Sequence, residues 1–107
     1  MATKFTHAPW RVKNEFGRLC IIAPMPDLEI AQIKIIGGGE EDFDEAKANA
    51  NLIATAPDLY RELEKCAKLL RSYEHHHLQK CDREKAERNR RRAENCERVL
   101  ANARGEK

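Results

Sequence analysis

Histidine and cysteine are the residues of this chain best suited to metal chemistry, and they meet at one place. His75, His76 and His77 are consecutive, and Cys81 follows His77 by four residues, about one helical turn. Both residue types are common zinc ligands, but a tetrahedral site needs four, so further ligands would have to come from Cys66 or a partner chain. We therefore interpret the stretch as a solvated polar patch and expect no metal site and no cofactor.

Three of the four cysteines recur at a fixed interval. Cys66, Cys81 and Cys96 are fifteen residues apart, which rotates each by about 60° from the last along a straight helix. They therefore drift around a helix instead of forming a ligand face. We interpret them as small buried or interfacial apolar residues and expect free thiols in a reducing compartment.

The basic run consists of Arg88, Arg90, Arg91 and Arg92. Such a cluster suits contact with the phosphates of a nucleic acid, which adds affinity and little sequence specificity. It also suits an acidic surface on another protein. Glutamates lie within one turn on both sides, so a solvated, charge-compensated helix face is the favoured interpretation.

No set of residues suggests catalysis. The histidines crowd one stretch and the chain has a single serine, so a nucleophile, a base and an orienting group cannot be assembled. Residues 37–39 are glycines followed by acids, with no Lys-Ser/Thr, which indicates a turn and not a phosphate-binding loop. We expect that the protein is not an enzyme.

Composition limits the size of the core. The chain has 107 residues, of which 36% are charged and 6% aromatic, so one small domain with a thin core is expected. A formal net charge of +2 is weak for a dedicated nucleic-acid-binding protein. No apolar run approaches the ~20 residues of a membrane span, and no signal peptide is evident, so we expect no membrane association and a cytoplasmic location.

The first third of the chain predicts a small sheet. Three β-prone runs, residues 10–16, 19–23 and 30–36, are separated by Gly17 and by Pro24 and Pro26, which is typical of a three-stranded antiparallel meander. Acidic residues at 40–44, followed by apolar residues at spacings of three and four, predict a short helix over about residues 41–54 that covers the sheet.

A corner is predicted where this helix ends. Pro57 disfavours helical geometry at Ala56, while Thr55 and Asp58 resemble a capping box that would start a new helix. The chain thus divides into a sheet-and-helix domain, residues 1–56, and a long charged helix, residues 57–107. The fold class is α+β.

The long helix cannot be stabilised by its own domain, since it would extend about 70 Å. It needs a fold-back, a second copy or another protein. Leu59, Leu63, Cys66, Leu70 and Tyr73 follow the 4-3-4-3 spacing of a coiled coil, which predicts a homodimer through this stripe.

The phase of the pattern slips beyond Tyr73, so the helix either continues through a stutter or turns at residues 72–77. That window holds no Gly, Pro or Asn, which favours an uninterrupted helix over a helical hairpin.

Residues 48–59, ANANLIATAPDL, resemble a segment, ANA-x-LIA-x-AP-[DE]-L, of small phage and prophage proteins. Those proteins also tend to open with a Pro-Trp strand, as at Pro9 and Trp10. The resemblance implies a phage origin, and small phage accessory proteins often bind and disable host machinery.

We therefore expect a non-enzymatic inhibitor or modulator of a host protein complex, such as a defence complex. Aromatic anchors dominate interface energetics, so Trp10, Tyr60 and Tyr73 are the expected anchors, with the basic run as a further contact. The alternative is a dimeric nucleic-acid-binding accessory protein that uses Arg88 to Arg92. A virion assembly factor is a third possibility.

Overall fold

The computed structural model describes residues 4–24, 28–35 and 38–106. In chain order the elements are β1 (Arg11–Glu15), β2 (Arg18–Ala23), β3 (Leu28–Ile33), α1 (Glu40–Gln79) and α2 (Arg83–Ala103). The expected α+β class with a three-stranded antiparallel sheet is confirmed. The chain divides into two compact units, Met1–Asp58 and Leu59–Lys107, with the division inside α1.

The sheet of the first unit has the order β1-β2-β3, and all its pairs are antiparallel. Ile21 of the central strand lies opposite Val12 on one side and Ala31 on the other. Directly paired residues point to the same face, so this face is apolar. On the other face, Lys13 and Gln32 lie on either side of the buried Cys20. This face is therefore more polar.

Within the first unit, the first turns of α1 have one buried side. Ala46 and Ala50, one turn apart, are both buried, as the helical spacing of the sequence predicts. The helix begins at a glycine: the Gly39 carbonyl accepts the Phe43 N–H at 3.2 Å, while the Gly39 N–H donates to the Asp42 carboxylate at 3.2 Å. Acidic side chains in this first turn also match the helix dipole.

The predicted corner at Thr55 to Asp58 is wrong, because α1 continues through Pro57. A proline inside a helix removes one hydrogen bond and costs about 3 kcal/mol. Pro57 is buried, and its burial offsets part of that cost. Thr55 caps nothing, since its hydroxyl donates to the Asn51 carbonyl at 2.8 Å within the same helix.

The strand boundaries also differ from the expectation. β2 ends at Ala23, as predicted from Pro24, but β3 begins and ends earlier than the predicted run of residues 30–36. Pro26, Ile36 and Gly37, which entered that prediction, lie outside the described residues. Phe16 does not extend β1, because it forms the turn that follows Glu15.

The favoured uninterrupted helix over residues 57–104 is wrong, and a helical hairpin is correct. The turn lies at residues 80–82, later than the window of 72–77 considered from the sequence. The Asp82 N–H donates to the His77 carbonyl at 2.8 Å and the Cys81 N–H to the Leu78 carbonyl at 3.1 Å. These bonds, with Cys81 at a φ of 59°, form a Schellman-type helix end in which cysteine takes the place usual for glycine.

α2 starts immediately after this turn because Asp82 caps it. The Asp82 carboxylate accepts the Lys85 N–H at 3.1 Å, which satisfies one of the free amides of the first turn. The other end is closed by Gly105, whose φ of 79° suits the left-handed position after a helix.

The two helices of the second unit pack along a seam of small residues. Ala86, Ala93 and Leu100 are buried on α2 at intervals of seven, and Tyr60 and Ala67 are buried on α1 at the same interval. Alanines at the contact allow the helix backbones to approach closely. The hairpin is therefore narrow and buries little apolar volume.

Ala93→Leu should destabilise the protein, because Ala93 is 0% exposed and a larger side chain would force the helices apart. We expect a loss of about 1–3 kcal/mol and a melting temperature several degrees lower, measured by circular dichroism at 222 nm. Asn95→Leu, at an exposed position of the same helix, is the control and should change stability by less than about 0.5 kcal/mol. Equal melting temperatures for the two variants would show that the seam is loosely packed.

Candidate functional site

The histidine stretch lies on the last turns of α1 and does not converge on a metal. His75 Nε2 is 3.2 Å from the Gln79 amide nitrogen, and the rings of His76 and His77 meet edge to face with centroids 5.4 Å apart. Across residues 4–24, 28–35 and 38–106, no three His, Cys, Asp or Glu side chains are grouped so as to hold a metal ion. Among these residues, none can be assigned to a metal.

The four cysteines are free and occupy different environments. Cys66 and Cys81 are exposed, Cys96 is half-buried and Cys20 is buried. A hydrogen bond with Glu29 raises the pKa of the Cys20 thiol, and burial acts in the same direction, because both disfavour the thiolate. Cys20 is therefore a poor nucleophile, whereas Cys66 and Cys81 are open to reagents.

An ion-pair network joins the two helices of the hairpin. Arg71 Nε and Nη2 donate to the two carboxylate oxygens of Glu97 at 3.0 and 2.7 Å, and Arg71 Nη1 donates to Glu74 at 2.9 Å. These hydrogen bonds raise the pKa of Arg71, and the bond from Arg71 lowers the pKa of Glu97. The bidentate geometry fixes the register of α1 against α2.

A shallow groove of about 470 Å³ runs beside this network. It is lined by Glu64, Ala67, Lys68, Arg71, Ser72, Glu97 and Leu100. Arg71 and Glu97 bind each other across the groove, so these two charges hold the hairpin together.

Half of the predicted basic run is neutralised by neighbouring acids. Arg90 donates to Glu87 and, at 2.8 Å, to Glu94, while Arg91 donates to Glu87 at 3.2 Å. The bonds from Arg90 lower the pKa of Glu87.

The other half of the run is open. Arg88 and Arg92, one turn apart, are exposed and form no ion pair with any residue that the structure describes. They leave a small basic spot on the surface of α2.

Two of the three predicted aromatic anchors are engaged within the chain. Trp10 is half-buried, its indole N–H donates to the Thr6 carbonyl at 3.1 Å, and its ring packs edge-on against Phe5. Tyr60 is 8% exposed, and its hydroxyl accepts a hydrogen bond from Arg104 at 3.0 Å. Tyr60 therefore presents little surface to a partner. Tyr73, in contrast, is 47% exposed.

Phe16 forms the tip of the β1–β2 hairpin and is fully exposed, at 102% of its reference area. Glu15 and Arg18 form the last pair of the ladder, so Phe16 and Gly17 make a two-residue loop. Their φ angles of 54° and 80° match the type I′ turn that usually carries Asn-Gly. A bulky residue in this left-handed conformation is an outlier.

The predicted oligomerisation residues lie together on one side of α1. Leu59, Leu63, Cys66, Leu70 and Tyr73, here called the α1 stripe, are exposed or half-buried: Leu59 is 51% exposed, and Leu63 and Leu70 are intermediate. The hairpin seam uses the adjacent side of the helix, through Tyr60 and Ala67. α2 thus does not bury the stripe.

Comparison with known proteins identifies the lineage of this chain. The family model described as Salmonella phage P22 protein Y8K6 matches residues 1–107. The chain belongs to this phage protein family. No curated protein and no solved structure matches it.

The structure of this Y8K6-family chain shows which surface residues the sequence pattern missed. Phe16 was assigned to a strand because it continues the alternation of Trp10 and Val12. The signal that could have identified it is the Phe-Gly pair between two β-prone runs, where Asn-Gly or Asp-Gly is the usual pair. Within the described ranges, neither helix has a stretch apolar enough to cross a membrane.

Glu97→Gln should remove a pH-dependent part of hairpin stability in the Y8K6-family protein. The pKa of Glu97 is lowered in the folded chain, so its contribution is present above the unfolded value of about 4.3 and is lost as pH falls through the folded pKa. We expect a lower urea midpoint than wild type at pH 7, and a difference that shrinks below about pH 4.

The control is Glu45→Gln, at an exposed position with no ion pair to a described residue. It should follow the wild-type midpoint from pH 7 to pH 3. A Glu97→Gln deficit that stays constant across this range would mean that shape, and not charge, carries the contact.

Proposed function

We propose that this phage protein is a non-enzymatic binding protein that inhibits or modulates a host protein complex, specifically a complex of a host defence system. The observation that carries the proposal is Phe16, a fully exposed aromatic side chain at the tip of the β1–β2 hairpin. A partner pocket that receives this ring would bury the largest apolar group that the sheet leaves in water.

Two separate costs are concentrated at Phe16. The left-handed backbone is unfavourable for a residue with a large side chain, and leaving a phenylalanine in water forgoes about 1.5–3 kcal/mol of burial. Asparagine or glycine would form the same loop without either cost. Phenylalanine at this position is therefore better explained by binding than by folding.

The charges beside the ring favour a protein partner. Glu15 and Arg18 flank Phe16 with opposite signs, and Glu15 also pairs with Lys13 at 3.8 Å. A mixed rim around an aromatic anchor is the usual composition of a protein interface. Lys13 pairs with Glu15 and Arg18 pairs with Glu29, so the tip has no net positive charge that would attract the phosphates of nucleic acids or anionic lipids.

The family supports the choice of a bacterial target. Its description names a Salmonella phage, so the machinery available to the protein is that of an infected bacterium. The proposal therefore places its target among the host's protein complexes.

Phe16→Gly should separate binding from folding. Glycine accepts a φ of 54° freely, so we expect a melting temperature equal to or above that of wild type. Binding should be lost, and this is measured by placing the photo-crosslinking residue p-benzoylphenylalanine at Arg18 in Salmonella cells. With Phe16 present, we expect a discrete protein adduct, and with Phe16→Gly at least tenfold less of it.

The crosslinker at Asn95 of α2 is the position control and should give no such adduct. Adducts that are independent of Phe16, or that contain only lipid or nucleic acid, would overturn the proposal. An adduct with a second copy of the chain alone would show self-association in place of host binding.

Nucleic-acid binding is the second candidate, and the observation in its favour is limited to Arg88 and Arg92. These two arginines are exposed and one turn apart, which allows contact with two phosphates. Arg90 and Arg91 are already held by Glu87 and Glu94. Two phosphate contacts give weak binding with a modest salt dependence, a slope of about 1.8 in log K against log salt.

A gel shift at several salt concentrations separates the two candidates. If the protein binds DNA or RNA, Arg88→Ala with Arg92→Ala should weaken binding and reduce the salt slope by about 1.8, or 0.9 per contact. Arg90→Ala with Arg91→Ala removes the same charge and is the matched control. Absent binding, or equal loss in both variants, removes the nucleic-acid candidate.

A further inference from the structure

We propose that a second copy of this chain packs on the α1 stripe and on an adjoining row of α2, so that two helical hairpins form a four-helix dimer. The α2 row consists of Cys96, Val99 and Ala103. This inference stands independently of the host-binding proposal, since it uses residues of the second unit only.

The α1 half of the surface is apolar and uncovered. Tyr73 and Leu59 are about half exposed, and Cys66, the central residue of the stripe, is exposed. The spacing of 4-3-4-3 along the stripe is the one with which a helix meets another helix of the same repeat. No charged residue occupies any of the five positions.

The α2 row lies at the same angle from the hairpin seam as the α1 stripe does. Leu63 and Leu70 each follow a buried seam residue of α1 by three positions, and Cys96 and Ala103 each follow a buried seam residue of α2 by three positions. Three positions rotate a side chain by about 60° back from the seam. Because the two helices are antiparallel, this equal rotation directs the α1 residues and the α2 residues toward the same side of the hairpin.

Two side-chain contacts between α1 and α2 define the levels at which the two rows meet. Tyr60 contacts Arg104 at 3.0 Å and Arg71 contacts Glu97 at 2.7 Å. Because the helices are antiparallel, two residues that lie level with each other have numbers that add up to about 164–168. Leu63 therefore lies level with Ala103, and Leu70 lies level with Cys96. The result is an apolar surface two helices wide from Leu63 to Leu70, which ends on α2 at the exposed Arg92, seven residues before Val99.

A second copy is the occupant that fits this surface. The hairpin seam is built mainly of alanines, so a single hairpin is short of apolar core, and a pair of hairpins makes the four-helix bundle that small helical chains use. A two-fold axis through the middle of the stripe matches the surface with itself and places Cys66 near its copy.

The size of the surface fits a weak, concentration-dependent dimer. The stripe runs for about 21 Å along α1 at 1.5 Å per residue, and two helices at normal spacing make the surface about 20 Å wide. The outline of the surface is about 400 Å² per copy, about half of the roughly 800 Å² per partner of a standard interface, which is the size of a weak association.

The first test is mass against concentration, by sedimentation equilibrium in reducing buffer. Wild type should pass from 12.3 kDa to twice that mass as concentration rises. Cys66→Glu should weaken the dimer about 100-fold or more, because two carboxylates would be buried together. Cys66 is exposed in the single chain, so this variant should keep its helical content, as checked by circular dichroism. Cys81→Glu, at the exposed cysteine of the turn, is the control and should dimerise as wild type does.

The second test needs no variant and measures thiol reactivity with a maleimide, followed by peptide mass spectrometry. Both Cys66 and Cys81 are exposed in the single chain, but only Cys66 lies on the proposed surface. Its rate relative to Cys81 should fall at least tenfold between dilute and concentrated protein. A constant mass of one chain, a Cys66 rate that does not change with concentration, or a Cys66→Glu protein that still dimerises would each overturn the proposal.

Discussion

Close packing of two helices through alanine is the constraint on which the second unit depends. Ala67, Ala86 and Ala93 are buried in the seam, and none of them carries a side chain beyond Cβ. The helices can therefore lie close together, but they exclude little apolar area from water. The paired charges of Arg71 and Glu97 define the register that such a smooth seam leaves poorly specified.

Because alanines form most of the seam, the bulkier apolar residues of α1 remain exposed. The bulkier apolar residues of α1, such as Leu59 and Tyr73, sit about a quarter turn from the alanine contact and stay in water. A helical hairpin with leucines in its seam would have a fuller core and a polar exterior. Here the apolar area that a small chain has available is divided between a thin interior and an open surface.

Periodicity and turn chemistry predicted the sheet well, because its signals are local. Gly17 between alternating runs identified the first hairpin, and Pro24 identified the end of β2. The helices were harder, since their boundaries depend on exceptions to average preferences. Pro57 is tolerated inside a helix, where it is buried. Cys81 adopts a left-handed conformation that glycine usually adopts. Asp82 was the one visible sign of the turn, as a cap for the residues that follow it.

The surface residues were predictable to a similar extent. The spacing of Leu59, Cys66 and Tyr73 was visible in the sequence, but the pattern could not show whether α2 would cover it. The true seam runs through Tyr60 and Ala67, one residue away, and alanine contributes little to an apolar pattern. Compensation of the basic run was visible as glutamates within one turn of it, although the sequence did not show that Arg88 and Arg92 would stay unpaired among the described residues. The exposure of Phe16 required the turn geometry itself.

The loop that carries Phe16 also bears on how the protein can evolve. Two residues close the β1–β2 ladder beyond the Glu15 and Arg18 pair, and they contribute no side chain to the core. Any residue that accepts a left-handed backbone can replace the phenylalanine while the strands keep their register. The tip can thus change by mutation without redesign of the sheet that presents it.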